Sequence, residues 1–254
     1  MSGLRRRLLP AVLASLALLA VACAPADDGK TREKNAPAGP GQKTSSKEQT
    51  SVKGESIPAG SGFDFYVLSL SWSPSYCEAE GADANRQQCG AARPYAFIVH
   101  GLWPQFERGF PQDCPTDRSK VPDATVRSLY DLMPSAGLIR HEWQTHGTCS
   151  GLGQQDYFRV LRAAREKVAI PGAFRRLDDY RTLSPQDAET AFQESNPDLP
   201  PDAIAVTCDR RYLREVRICL TRDLEFRACP EIDRKACRAS KVVMPPVRAS
   251  SNTR

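Results

Sequence analysis

Histidine is scarce in this chain, with three in 254 residues. Scattered over a surface they would carry no message. Here they fall in two short stretches, His100 in FIVHGLWPQ and His141 and His146 in RHEWQTHGTCSG. Histidine is the side chain whose ordinary pKa lies within the physiological range, so it serves as acid, base or metal ligand. Also lacking is an apolar run long enough to span a bilayer. The run Leu8–Ala22 falls short of the roughly 20 residues that a membrane helix needs. No internal repeat is present. The folded part lacks any excess of charge. Setting aside Arg5, Arg6 and Arg7, and the six basic and five acidic residues of 24–62, leaves 26 basic against 25 acidic side chains. Such a domain has no global field to draw in nucleic acid, so any anion binding must be local.

The N-terminus reads as an export leader over 1–22, with a basic start, an apolar stretch and small residues at Ala20-Val21-Ala22. Its end has two readings. Ala20 and Ala22 fit ordinary A-x-A cleavage, whereas Val21-Ala22 followed by Cys23 resembles a bacterial lipobox, which would leave a lipidated Cys23. Cysteine parity bears on the choice. Of nine cysteines, removing Cys23 leaves eight, enough for four disulfides in an oxidising compartment. Residues 23–62 read as a flexible tether, rich in Pro, Gly, Ser, Thr and Lys. Val52 and Ile57 are the large apolar residues there, too few to offset the entropy of ordering.

Residues 63–254 remain as one domain with a substantial core, the last ten or so residues expected to be disordered. Phe63–Trp72 reads as a strand and Tyr95–His100 as a second, buried one. Residues 123–133 and 154–169 carry helix-period apolar positions. Ser184-Pro185 followed by Asp187 marks a helix start. Ala203–Cys208, Tyr212–Leu220 and Leu224–Cys229 read as three strands. Helices in the middle and strands at both ends predict an α+β fold, a central antiparallel sheet packed against several helices.

In Leu138–Cys149 a short helix is expected to carry His141, Glu142 and His146. Glu142 and His146, at i,i+4, would share a face, and the carboxylate would orient the His146 ring or raise its pKa. His141 would lie about 140° from His146. The metalloprotease motif H-E-x-x-H needs its histidines at i,i+4; the spacing here is one residue longer. A three-His metallohydrolase, recruiting His100 on a distorted helix, is the minor metal reading, and no metal or other cofactor is expected. The acid–base reading fits the residues better. Cleavage of a phosphodiester by an internal 2′-hydroxyl needs a base for that proton and an acid for the leaving 5′-oxygen. Two imidazoles on separate elements, one neutral and one charged, supply both.

The segments HGLWP (100–104) and HEWxxHGTC (141–149) resemble the two signature segments of the ribonuclease T2 family. With FxFYVLSLSWSPSYC near the start, the resemblance covers about residues 63–240. It implies an α+β fold and metal-independent cleavage of single-stranded RNA through a 2′,3′-cyclic phosphate. It makes His100, Glu142 and His146 catalytic, with His146 the base and His100 the acid. It assigns His141 to phosphate and Trp103 to stacking on a base; a core tryptophan behind the loop is the alternative for Trp103. The resemblance also implies the pairs Cys114–Cys149, Cys208–Cys237 and Cys219–Cys229, which leaves Cys77–Cys89. Spacing alone would not choose among the 105 pairings of eight cysteines.

Two positions depart from the family pattern. Thr145 stands where many relatives carry Lys, a cation that would stabilise the charged phosphorus; Arg140 or another basic side chain is the candidate to compensate. Gln105 stands where relatives often have an acidic residue near the base pocket, so base preference does not transfer. The expectation is an exported, monomeric endoribonuclease acting on single-stranded RNA. Its place is the periplasmic side of a bacterial membrane as a lipoprotein, or else the soluble periplasm or medium. The rival reading, kept open by Thr145, is a catalytically weak RNA-binding or toxin-like lipoprotein on the same fold.

Overall fold

A computed structural model describes residues 56–90, 94–117 and 120–248. The export leader, Cys23 and the tether up to residue 55 lie outside the described residues, as do residues 249–254. The end of the expected tether is part of the domain: the Ser61 amide donates to the Ser150 carbonyl at 2.9 Å. At the other end, the Pro245 carbonyl accepts from Trp72 Nε1 and the Val247 amide donates to Leu177. The chain is therefore packed as far as Val247.

Strand β1 (Phe65–Trp72) leads into helix α1 (Ser73–Glu80) and the single turn α2 (Arg86–Cys89). β2 (Phe97–Gln105) follows, then the short α3 (Asp123–Arg127), α4 (Ala136–Thr145) and α5 (Gln154–Lys167). After α6 (Gly172–Arg175) come β3 (Arg181–Leu183), α7 (Pro185–Ser195), β4 (Ile204–Cys208), β5 (Leu213–Leu220), α8 (Pro230–Asp233) and β6 (Val242–Met244). The main sheet has the order β2-β1-β5-β4 with every neighbouring pair antiparallel; β3 and β6 form a two-stranded ribbon. The fold is α+β, with helices against an antiparallel sheet and four disulfides: Cys77–Cys89, Cys114–Cys149, Cys208–Cys237 and Cys219–Cys229.

Side chains alternate between the faces of a strand, so register decides what each face does. Tyr66, Leu68 and Leu70 of β1, with Ile204 and Val206 of β4 and Val216 and Ile218 of β5, enter the main core beneath Trp143 of α4 and Tyr157, Leu161 and Ala164 of α5. The opposite face begins as a small second core of Phe65, Val67, Ala205 and Cys219, with Trp103 packed against it. Farther along that face the register brings Ser69 opposite Arg217 and Ser71 opposite Glu215. Small serines there leave room for charged side chains.

Several elements differ from the sequence expectation. β2 does not end at His100 but continues to Gln105, and Pro104 is tolerated because β2 is an edge strand. The helix expected over 123–133 stops at Arg127; hydrogen-bonded turns then carry Leu129 and Met133 into the core ahead of Pro134. Leu224–Cys229 is not a strand. Leu224 has φ of 64° within a turn closed by Thr221 and Glu225, leaving a single bridge from Leu220 to Phe226. The Ser184 start holds, with a full capping box between Ser184 and Asp187.

Candidate active site

His100 owes its direction to an irregularity in β2. Ser69 of β1 pairs with Gly101, but the next residue, Leu70, pairs with Val99, so His100 is the extra residue of a β-bulge. In a regular strand, residues 100 and 103 would point to opposite faces. The bulge turns His100 to the face of Trp103, and their ring centroids lie 5.3 Å apart. Trp103 also stands 5.4 Å from the ring of His146. Both imidazoles therefore border one indole.

Helix α4 is capped by Ser135, whose hydroxyl accepts from the Leu138 amide. Its buried stripe is Ile139, Glu142 and Trp143, so a carboxylate occupies a core-facing position. Glu142 Oε2 accepts from Trp103 Nε1 at 2.8 Å, and Oε1 lies 3.6 Å from His100 Nε2. Gly101 permits this approach: a Cβ there would overlap the Glu142 carboxylate and the Trp103 indole. Gly147 does the same for the second segment, where a Cβ would overlap Trp143 and Tyr157. The expectation that Glu142 would orient His146 is corrected. The helix ends at Thr145, and His146 is its C-cap with φ of −118°, so it no longer continues the i,i+4 face. Glu142 instead serves His100 and Trp103.

A second carboxylate completes the site. His100 Nδ1 is hydrogen-bonded to Glu215 Oε1 from β5. The other oxygen of Glu215 accepts from Arg217 Nε at 3.0 Å and Nη2 at 2.8 Å. The Arg217 guanidinium lies 5.1 Å from the centre of the Trp103 ring, a cation–π arrangement.

These contacts push the two imidazoles in opposite directions. Burial opposes charge on His100, but the hydrogen bond to Glu215 and the charges of Glu215 and Glu142 outweigh it and raise its pKa above 6.5. His146 is pushed down to about 4 by burial, then by the charges of His141 and His100. Its Nδ1 is buried without a protein partner. Burial lifts the Glu142 carboxyl to about 7, against the opposing pull of His100 and the Trp103 bond. Glu215 is also desolvated, yet its bond to His100 and the charges of His100 and Arg217 bring it down to about 2. The site thus favours the charged form of His100 and the neutral form of His146.

Two clefts flank this centre. One of about 340 Å³ is lined by His141, His100, Tyr76, Gln88, Ser135 and Leu138, among others. The second, about 200 Å³, is lined by Trp103, Gln105, Phe110, His146, Arg217 and Lys235, with Ile232. His141 is exposed at the rim. Trp103 is half-buried against the second core, with Arg217 over its ring. Phe110, 51% exposed, is the open aromatic of its cleft. Thr145 is half-buried, and its carbonyl accepts from the Asp113 amide at 2.9 Å. Arg140 does not compensate for it, being paired with Asp123 on the exposed side of α4. Arg217, paired with Glu215, and Lys235, paired with Glu231, line the same cleft as His146. Among the described residues no three His, Cys, Asp or Glu side chains are grouped to hold a metal ion.

The family model for the ribonuclease T2 family matches residues 63–229. The chain belongs to the ribonuclease T2 family. A ribonuclease of Aeromonas hydrophila is 37% identical over 163 residues, covering 63% of this chain and 73% of that protein. Ribonuclease I of Escherichia coli is 27% identical over 205 residues, 63% of this chain and 76% of that protein. The crystal structure of RNase NT in complex with 5′-AMP superposes with a TM-score of 0.58 at 25% identity, over 73% of this chain and all of that one. The RNase-related protein from Calystegia sepium shares the fold, with a TM-score of 0.59 at 22% identity, over 74% of this chain and all of that one.

Within this T2 family domain, the structure gathers His100, Trp103, Glu142 and His146 into one cluster and places His141 on the rim of the adjoining cleft. Sequence reasoning missed Glu215, Arg217, Phe110 and Lys235. A signal for two of them exists. In LREVRICL, Glu215 and Arg217 stand two apart in a strand that is otherwise mostly apolar, so they share a face of a buried sheet.

Proposed function

We propose that this member of the ribonuclease T2 family, an endoribonuclease, cleaves single-stranded RNA by metal-independent transphosphorylation. In the first step neutral His146 takes the proton of the substrate's 2′-hydroxyl as its oxygen attacks phosphorus. His100, charged, gives the Nε2 proton to the departing 5′-oxygen. The products are a 2′,3′-cyclic phosphate and a free 5′-hydroxyl. The observation that carries this reading is a pair of imidazoles bordering a single indole, with the pKa of His100 raised and that of His146 lowered. Glu142 assists by holding Trp103 and by facing the Nε2 edge of His100. His141 on the rim suits phosphate binding, and Phe110 and Trp103 offer aromatic surface to a base. With position 145 occupied by Thr, Arg217 and Lys235 are the cations in the cleft that holds His146.

RNA is the substrate class because the nucleophile belongs to the substrate. The test is an RNA oligonucleotide carrying one 2′-deoxy residue. Cleavage should vanish at that linkage and persist at its neighbours; cleavage there at an undiminished rate would sink the mechanism. The reading extends to export, which the leader pattern and four disulfides support. Anchoring through an acylated Cys23 is part of the proposal. Mass spectrometry of the mature N-terminus should find the acyl groups, and an unmodified Cys23 would leave the enzyme soluble.

A further inference from the structure

Glu215 is an expensive residue where it stands. A carboxylate buried on a sheet face is costly unless its oxygens are satisfied. Both are, and by groups of different kinds. Oε1 meets His100 Nδ1, and Oε2 takes two bonds from Arg217. The neighbours across the sheet make room for it, since Ser71 on β1 and Thr207 on β4 are its partners in register. Arg217 supplies its counter-charge on one side and His100 the hydrogen-bond partner on the other. What the charge does is fix one edge of the imidazole that the bulge in β2 turns towards the cleft.

We propose that Glu215 is a positioning residue for His100: it holds Nδ1–H, sets the ring so that Nε2, on the Glu142 side, is the edge that donates, and favours the charged imidazole until it does. The inference rests on the acid role of His100 proposed above. Proton transfer from Nε2 leaves a neutral ring whose remaining proton stays on Nδ1, still bonded to Glu215, so the same contact serves both charge states. Arg217 restrains the far oxygen and prevents the carboxylate from rotating away. Glu142 from α4 faces the other edge of the ring, Arg217 is the charge that opposes protonation of His100, and charged His100 in turn lowers the pKa of His146. Burial raises the pKa of Glu142, whereas its partners hold that of Glu215 low. The steady negative charge at His100 is therefore that of Glu215.

The experiment is an NMR titration of the three imidazoles in the wild-type chain and in Glu215→Gln, with the pH dependence of kcat/KM for a dinucleotide measured on both. In Glu215→Gln the His100 titration should move down by about one unit or more. The basic limb of the rate profile should move with it, and kcat should fall about 10- to 1,000-fold. Glu215→Asp, which keeps the charge but shortens the reach, should recover part of both and provides the same readouts if the Gln variant does not fold. A folded Gln variant with an unmoved His100 titration would overturn the assignment, as would a loss of rate with an unmoved basic limb. The imidazole titration needs no turnover. A chain that fails to cleave RNA would thus refute the proposed function without deciding the Glu215–His100 coupling.

Discussion

Glu142 lies 3.6 Å from Nε2 of His100 and is bonded through its other oxygen to Trp103. The carboxylate of the second motif therefore works for the histidine of the first. Its burial predicts opposite effects of one substitution on stability and on activity. The folded-state pKa of about 7 stands above the ordinary 4.5, so the folded state loses ground as pH rises from 4.5 through 7. Glu142→Gln removes that cost. Thermal or denaturant unfolding should show the variant about 1–3 kcal/mol more stable at pH 8 and unchanged at pH 4, with kcat reduced. Equal stability of the two proteins at pH 8 would contradict the buried-carboxylate reading.

The split between the imidazoles sets the pH profile. Activity should rise as His146 loses its proton, around pH 4, and fall as His100 loses its own, above 6.5. The dependence of kcat/KM on pH reports these groups in the free enzyme. A plateau across mildly acidic to neutral pH is the expected shape. A narrow optimum with both limbs close to 6.5 would mean that the site does not separate the two rings.

Single substitutions separate the roles. His100→Phe and His146→Phe should each lower kcat by about 10²- to 10⁴-fold. His141→Phe, altering a rim residue, should act mainly on KM. Normal kcat in either of the first two variants would remove that residue from the chemistry, and a collapse of kcat in the third would move His141 into it.

The Cys114–Cys149 bridge joins the segment after β2 to the end of the second motif, beside the Asp113–Thr145 backbone bond. Replacing both cysteines by serine should cost about 2–5 kcal/mol of stability. It should also lower activity, because His146 sits in the short turn between Thr145 and Cys149. Calorimetry and a dinucleotide assay check the two parts; an unchanged Tm would contradict the first.

Much of this site was legible because its chemistry is local in sequence. HGLWP and HEWQTHGTC each compress several site residues into a few positions, and histidine is rare enough for its clustering to count. The glycines of both motifs have a visible cause in the structure, as gaps that a Cβ would fill. Strand existence followed from apolar runs, but strand length did not: β2 passes through Pro104, which edge position alone permits. The bulge at His100 leaves no pattern in residue types, since register belongs to the pair of strands. Glu142 was placed on the right helix but given the wrong partner, because a helix that ends one residue early changes the direction of His146. Glu215 was out of reach for a different reason. It stands 115 residues from His100 in the chain, and the sheet order that joins them cannot be read from either motif.

The central claim is cleavage by one protonated and one neutral imidazole without a metal. The most direct measurement is phosphorus NMR of a dinucleotide digested by the purified protein in excess chelator. A 2′,3′-cyclic phosphate as the first product, formed at the same rate with and without EDTA, is the predicted result. Loss of cleavage in EDTA with recovery on adding zinc, or a phosphate monoester as the first product, would contradict it.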